Sequence, residues 1–255
     1  FMGLVGSEMC IRDRYSREKN DAFLNQALMK EALSHGLPDV IVLHESSKLK
    51  KKRGMSQLSW SSLKSAFTEP TAEDWIKDFY PHLEGIPVTN CLHHQSHAAA
   101  GMLTLPEECN NWNDAAIVTI DAIGEYQTAT ISTWQKNERI MLRHEINFPN
   151  SLGLFYTAVT SAIGLKPMED EYILMGMAAY GKPIYKTKME THLFDTPVED
   201  LHNCLKTIDM SKGLPSSFMT KEELQDEQTQ FDLAASAQAV VEERIMAYCL
   251  SLIHI

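Results

Sequence analysis

The stretch from Ala115 to Phe148 constrains the fold more than any other part of the chain. Ala115–Asp121 (AAIVTID) is an apolar, β-branched run of the length of a buried strand, and Thr128–Trp134 (TATISTW) is a second run with the same character. Between them, Asp121-Ala-Ile-Gly-Glu125 carries the glycine that a tight reversal wants. The pair therefore predicts an antiparallel hairpin, which Ile140–Phe148 continues as a third strand. Such a sheet must cover an apolar face, and the rest of the chain supplies helices to do so.

Asp21–Ser34 places Phe23, Leu24, Ala27, Leu28 and Ala32 at helical spacing before Gly36 and Pro38 stop the run. Asp39–His44 (DVIVLH) and Ile86–Leu92 (IPVTNCL) read as short strands, and Glu73–Leu83 reads as an amphipathic helix. After Pro149, Ser151–Ile163 is an apolar helix capped by Asn150 or Ser151 and closed by Gly164. Glu171–Tyr180 is a Met-rich helix closed by Gly181 and Pro183. Lys186–Gln228 is polar and proline-broken, with short helices at most, and Phe231–Tyr248 is an amphipathic helix. No internal repeat is visible. The sum is an α/β fold, a mixed sheet with a hairpin and flanking helices.

Composition narrows the function. Of the 255 residues, 44% are apolar, as a packed core requires, and no apolar run approaches the ~18 residues of a membrane helix. A formal net charge of −11 argues against a nucleic-acid surface, because phosphate binding draws on Lys and Arg. The basic run at Lys48, Lys50, Lys51, Lys52 and Arg53 reads as a solvated loop before it reads as an anion clamp. Five scattered cysteines form no CxxC pair, which points to a reduced, cytoplasmic protein rather than a disulfide framework. Residues 1–14 (FMGLVGSEMCIRDR) and 249–255 (CLSLIHI) resemble translated sequencing-adapter reads and are set aside, leaving 15–248 as the natural sequence, an internal part of a larger catalytic domain.

Four constellations could carry chemistry. His93-His-Gln-Ser-His97-Ala-Ala-Ala follows a strand and opens a small-residue helix. The spacing of four puts the imidazoles of His93 and His97 on one helix face, close enough to share a metal. Taken alone, the pair fits a metal site and a polar helix start equally well. Asp121 and Glu125 lie in the hairpin turn at a strand end, where ligands sit in α/β sheets, although an Asp there also serves simply to cap a turn. Asn150-Ser-Leu-Gly-Leu-Phe-Tyr156 offers helix N-terminal N–H groups to an anion, or only a packing helix. In Met175-Gly-Met-Ala-Ala-Tyr-Gly181, Gly176 and the alanines permit close approach of another backbone, and a Met stripe of this kind is usually core.

The order and spacing of these four, with the second written in full as Val118-Thr-Ile-Asp-Ala-Ile-Gly-Glu125 and the third as Phe148-Pro-Asn-Ser-Leu-Gly-Leu-Phe-Tyr156, resemble the NodU/CmcH family of O-carbamoyltransferases over about Tyr15–Tyr248. Tyr15-Ser-Arg-Glu-Lys-Asn-Asp21 is similar to the segment that precedes them in that family. The resemblance implies a partial domain of the sugar kinase, actin and heat-shock ATPase superfamily, in the branch shared with the tRNA threonylcarbamoyl transferases. It implies a divalent metal, usually iron, on His93 and His97, and a catalytic role for Asp121. Glu125, Ser151 and Gly176 fall where substrate or nucleotide is bound. Carbamoyl phosphate and ATP would give a carbamoyl-adenylate in a separate C-terminal domain that this chain lacks, and the carbamoyl group would pass to a hydroxyl of a small-molecule or sugar acceptor. No nucleic-acid or membrane partner is expected.

Two positions depart from the family pattern. Ala122 stands where Gly usually follows the Asp, and Ile173 stands where Lys is common, which puts a cationic role there in doubt. Two other readings remain, a tRNA-modifying relative and a non-catalytic scaffold that kept the fold. If Ala115–Asp121 runs beside the strand ending at Leu92, Asp121 and the histidines open onto one crevice.

Overall fold

A computed structural model of the chain describes residues 26–46, 48–49, 51–52, 72–106, 109, 111–198, 200, 205, 213–220 and 222–251. Tyr15–Asp21, the first turn of the expected N-terminal helix, Lys50, Arg53, and residues 1–14 and 252–255 lie outside the described residues. The chain divides into two compact units, residues 1–105 and 106–255.

In the first unit, helix α1 (Gln26–Ser34) leads to strand β1 (Ile41–Leu43), and helix α2 (Ala72–Phe79) leads through a 3-10 turn at Pro81–Leu83 to strand β2 (Val88–Asn90) and helix α3 (His93–Leu103). The expected helix Glu73–Leu83 is thus cut at Pro81, whose ring denies the helix an N–H. β1 and β2 are parallel, with Ile41 opposite Val88 and Leu43 opposite Asn90. Leu43, Ile76 and Leu83 form the buried centre, with Met29, Leu33, Tyr80 and Ile86 packed around them. The strands are shorter than the sequence suggested, and Val42 faces outward.

In the second unit, β3 (Asp114–Ile120), β4 (Gln127–Gln135) and β5 (Met141–Asn147) form an antiparallel sheet in that order, so the hairpin and its third strand stand as expected. Among the described residues no hydrogen-bonded pairing joins the two sheets. β2 pairs with β1, and β3 pairs with β4, in separate sheets. Nor is β3 the buried strand. It alternates between covered and open positions, and only Thr119 in it is buried, whereas Thr128–Ser132 of β4 are all buried. The reason is position, since β4 is the central strand and β3 an edge. Burial there tolerates hydroxyls because they are paired: the Thr119 and Thr130 hydroxyls lie 2.6 Å apart, and Thr128 Oγ1 donates to the Ile146 carbonyl at 3.2 Å.

Helix α4 (Leu152–Ala162) follows, then α5 (Glu171–Met177) with a 3-10 turn at Ala178–Tyr180, α6 (Lys186–Leu193), and α7 (Glu227–Ser251). Gly164 closes α4 at φ +83°, a left-handed conformation that favours glycine. α7 begins four residues before the expected Phe231, because Asp226 caps it: the Thr229 hydroxyl and N–H both donate to its Oδ2 at 2.8 Å. Those two bonds, the hydroxyl's first, hold the Asp226 carboxyl below the usual carboxylate range.

α7 is the spine of this unit. Residues 232–237 are buried on every side, and Val240, Arg244 and Tyr248 continue the inner face. The segment after α5 lies against this helix. Asp232 Oδ1 accepts the Lys182 N–H at 2.8 Å, and Ser236 Oγ accepts the Tyr185 N–H at 3.0 Å. The wholly buried Arg244 joins α7 to α6 through the Glu190 carboxylate, donates to the Thr196 carbonyl at 3.1 Å, and lies 3.7 Å over the Phe194 ring. Tyr156 ties α4 to the same helix, donating to Gln238 Oε1 at 2.9 Å. Burial, then the Glu242 and Glu171 carboxylates, push its phenol well above the usual range, so it stays a donor.

The close approach expected at Gly176 occurs instead at Gly181. A Cβ on Gly181 would stand 1.9 Å from the Phe231 carbonyl oxygen and 2.7 Å from the Asp232 nitrogen, whereas one on Gly176 meets nothing within 4 Å. Nor is the Met stripe all core: Leu174 is buried, but Met175 is exposed. Gly181→Ala is expected to cost about 3 kcal/mol and to lower Tm by roughly 10 °C. Gly176→Ala is expected to hold stability or raise it by about 0.5–1 kcal/mol. Thermal unfolding followed by circular dichroism checks both.

Candidate metal centre

Parallel strands bring their carboxyl ends to one edge, and in the first unit both ends carry histidine. β1 runs into His44-Glu45, and β2 runs through Cys91-Leu92 into α3, whose first residue is His93. Gln95 steadies the start of α3 by accepting the Leu92 N–H at 3.4 Å. Along this helix the spacing of four does what helical geometry requires. The Nε2 atoms of His93 and His97 stand 3.0 Å apart, with ring centroids at 4.6 Å and planes at 85°.

Two arrangements satisfy that distance. One ring can donate its Nε2–H to the lone pair of the other, or both lone pairs can face one cation. Bonds of about 2.1 Å to atoms 3.0 Å apart subtend about 90° at an ion, a sound angle between adjacent ligands, so the pair fits a metal. His93 is half-buried, His97 exposed, and His94 almost wholly buried behind them. His94 stacks edge-on to both, with centroids 5.8 Å from His93 and 6.0 Å from His97. A second grouping joins His44, Glu45 and His93, whose ligand atoms all lie within 4.8 Å of one another. The Glu45 Oε2 faces His93 Nδ1 at 4.0 Å. Neither His44 nor Glu45 was singled out in the sequence, although their place at a strand end is the signal that could have found them.

The hairpin turn belongs to the second unit. Asp121 Oδ1 accepts the N–H of Ala122 at 2.6 Å, and Asp121 donates its own N–H to Thr128 at 2.9 Å. Glu125 is buried at 3% exposure, which is rare for a carboxylate at a hairpin end. The first turn of α4 is clamped to this reversal. Ser151 Oγ accepts the Leu154 N–H at 3.0 Å as N-cap and donates to the Ala122 carbonyl at 2.7 Å, so its hydroxyl is fully engaged. Gly153 presses on the same backbone, where a Cβ would stand 2.6 Å from the Ala122 Cα. The Ser-Leu-Gly motif thus reads as a clamp for the turn that holds Asp121 and Glu125. Gly176 is exposed on α5.

Of the described cysteines, Cys91, Cys109 and Cys249 form no disulfide. None of the described helices is long and apolar enough to cross a membrane.

Compared with known proteins, residues 75–254, more than half of the chain, match the family described as Carbamoyltransferase N-terminus. An uncharacterized protein of Synechocystis sp. is 32% identical over 168 residues, covering 60% of this chain and 26% of its own length. The chain spans about a quarter of that relative's length.

Ser151→Ala removes the cap and the strut to Ala122 together. The expected loss is about 1–2 kcal/mol, read as a lower urea midpoint at an unchanged m-value.

Proposed function

The chain belongs to the carbamoyltransferase N-terminal family, and on that footing we propose that it carries part of the active site of a metal-dependent O-carbamoyltransferase. Its donor would be a carbamoyl-adenylate formed from carbamoyl phosphate and ATP, and its acceptor a hydroxyl of a small molecule or sugar. The observation that carries the reading is the convergence of the His93 and His97 Nε2 atoms at 3.0 Å inside the matched segment. These two residues would hold a divalent metal, iron by family likeness. A metal bound there supplies Lewis acidity toward the carbamoyl oxygen, or a hold on the adenylate hydroxyls.

The protein's own groups have defined duties in this scheme. The two imidazoles would offer ring nitrogens to the ion from a helix whose first turn is fixed by Gln95. Asp121, at the end of β3, is the proposed carboxylate that accepts the proton of the acceptor hydroxyl. As that proton leaves, the hydroxyl oxygen bonds to the carbamoyl carbon, and the bond from that carbon to the adenylate phosphate oxygen breaks, with the electron pair departing on AMP. Glu125 and Gly176 are proposed contacts to substrate or nucleotide, and Ser151 contributes through the helix N-terminus it caps. The sheet of β3–β5 followed by α4 is compatible with a partial sugar-kinase and actin-like domain, and a cytoplasmic site suits substrates such as ATP.

Anaerobic titration of the chain with Fe(II) or Co(II) tests the reading directly. One ion per chain is expected, and His93→Ala or His97→Ala should abolish measurable binding. A parent chain that binds neither ion overturns it. Incubated with ATP, carbamoyl phosphate and a panel of hydroxyl acceptors, the chain alone is expected to give no carbamoylated product by mass. A longer protein that includes an adenylate-forming domain should give one, and Asp121→Asn there should slow transfer by about 10²–10⁴-fold.

A further inference from the structure

We propose that Glu45 is a positioning residue for the histidine pair. Its carboxylate holds the Nδ1–H of His93 and so turns the Nε2 lone pair of that ring toward His97. The inference rests on the metal-binding reading above and goes a step further, naming the group that sets the tautomer.

Topology delivers Glu45 to the right place. β1 and β2 are parallel neighbours, so the residues just past their carboxyl ends emerge on one edge, Glu45 from the first and His93 from the second. The β1 end is fastened to the helix that carries the histidines. Cys91 donates its N–H to the Leu43 carbonyl at 3.0 Å and its Sγ to the same oxygen at 3.4 Å. Ser96, on α3 between the two histidines, donates its hydroxyl to the His44 carbonyl at 3.0 Å, and its oxygen lies 2.8 Å from Cys91 Sγ. The residue before Glu45 is therefore hydrogen-bonded to the turn of helix that presents His93 and His97. Both side chains are largely covered, His93 at 15% and Glu45 at 14% exposure, so the interaction is poorly screened by water.

The tautomer argument supplies the chemistry. An imidazole that offers a lone pair at Nε2 must carry its proton at Nδ1, and a buried N–H seeks an acceptor. The Glu45 Oε2 lies 4.0 Å from that atom. A side-chain movement of about 1 Å brings it to hydrogen-bond distance. With His93 fixed in this form and no ion bound, the 3.0 Å contact must run from His97 Nε2–H to His93 Nε2. To hold a cation at this pair, only His97 would have to change tautomer. A carboxylate behind a ligating histidine also raises the basicity of the ring, and loss of such a partner commonly weakens metal binding 10- to 100-fold.

The test uses the chain as it exists, titrated with Co(II) and followed by its visible absorption. Glu45→Gln is expected to weaken Co(II) binding about 10- to 100-fold while leaving the spectrum of the saturated ion unchanged. Nitrogen-15 NMR of the metal-free parent should show His93 protonated at Nδ1, a readout that needs neither a variant nor a metal. Parent-like affinity in Glu45→Gln, a changed saturated spectrum in that variant, or an Nε2–H tautomer at His93 overturns the positioning role, even if the parent binds metal well. Failure of the parent to bind Co(II), with His93 still protonated at Nδ1, overturns the metal reading but leaves the Glu45 contact standing.

Discussion

Everything in the second unit depends on a helix that accepts other backbones at van der Waals contact. α7 can do this because its wholly buried stretch includes Ala234, Ala235, Ser236 and Ala237, which keep neighbours close without large side chains between. Closeness brings peptide groups out of water, and each must find a partner. The helix supplies these itself: Asp232 and Ser236 receive the N–H groups of Lys182 and Tyr185. Gly181 sits at the tightest point, and its missing side chain lets the chain pass over Phe231. Arg244 completes the seam with charge, and its guanidinium is satisfied by Glu190, Thr196 and the Phe194 ring, as a buried cation must be.

The first unit is organised by strand ends rather than by a helix. Two three-residue strands bury little, but their parallel register places His44-Glu45 and Leu92-His93 side by side. Two hydrogen bonds of Cys91 and one of Ser96 then fix the distance between them. The same economy appears at the hairpin turn, where Ser151 and Gly153 press α4 against Ala122.

How much of this was legible depended on whether the signal was local. The hairpin, the α4 cap at Ser151, the glycine closure at Gly164 and the meeting of His93 with His97 follow from periodicity, turn chemistry and helical spacing, all within a few residues. What was misjudged needed tertiary knowledge. β3 has the more apolar sequence, yet β4 is the central strand, and its buried threonines are hidden as a signal because their hydroxyls are satisfied only by neighbouring strands. Gly176 and Gly181 look alike in sequence, and only the partner backbone distinguishes them. Glu45 lies 48 residues from His93, so no local pattern joins them. The start of α7 differs from its sequence expectation for a simpler reason: the cap at Asp226 precedes the apolar run that marks the helix.

The place of the histidine pair beside the buried centre of the first unit has a thermodynamic corollary. Among the described residues that centre consists of Leu43, Ile76 and Leu83, whereas seventeen buried residues form the core of the second. The paired histidines stand beside the first of these centres. A ligand bound there to the ordered form alone adds RT ln(1 + [L]/Kd) to the stability of its host, about 2.7 kcal/mol at a hundredfold excess over Kd. That increment is comparable to burying one large apolar side chain, about 1.5–3 kcal/mol. Under the metal-binding reading proposed above, occupancy and order at the β1–α3 edge would be two faces of one equilibrium.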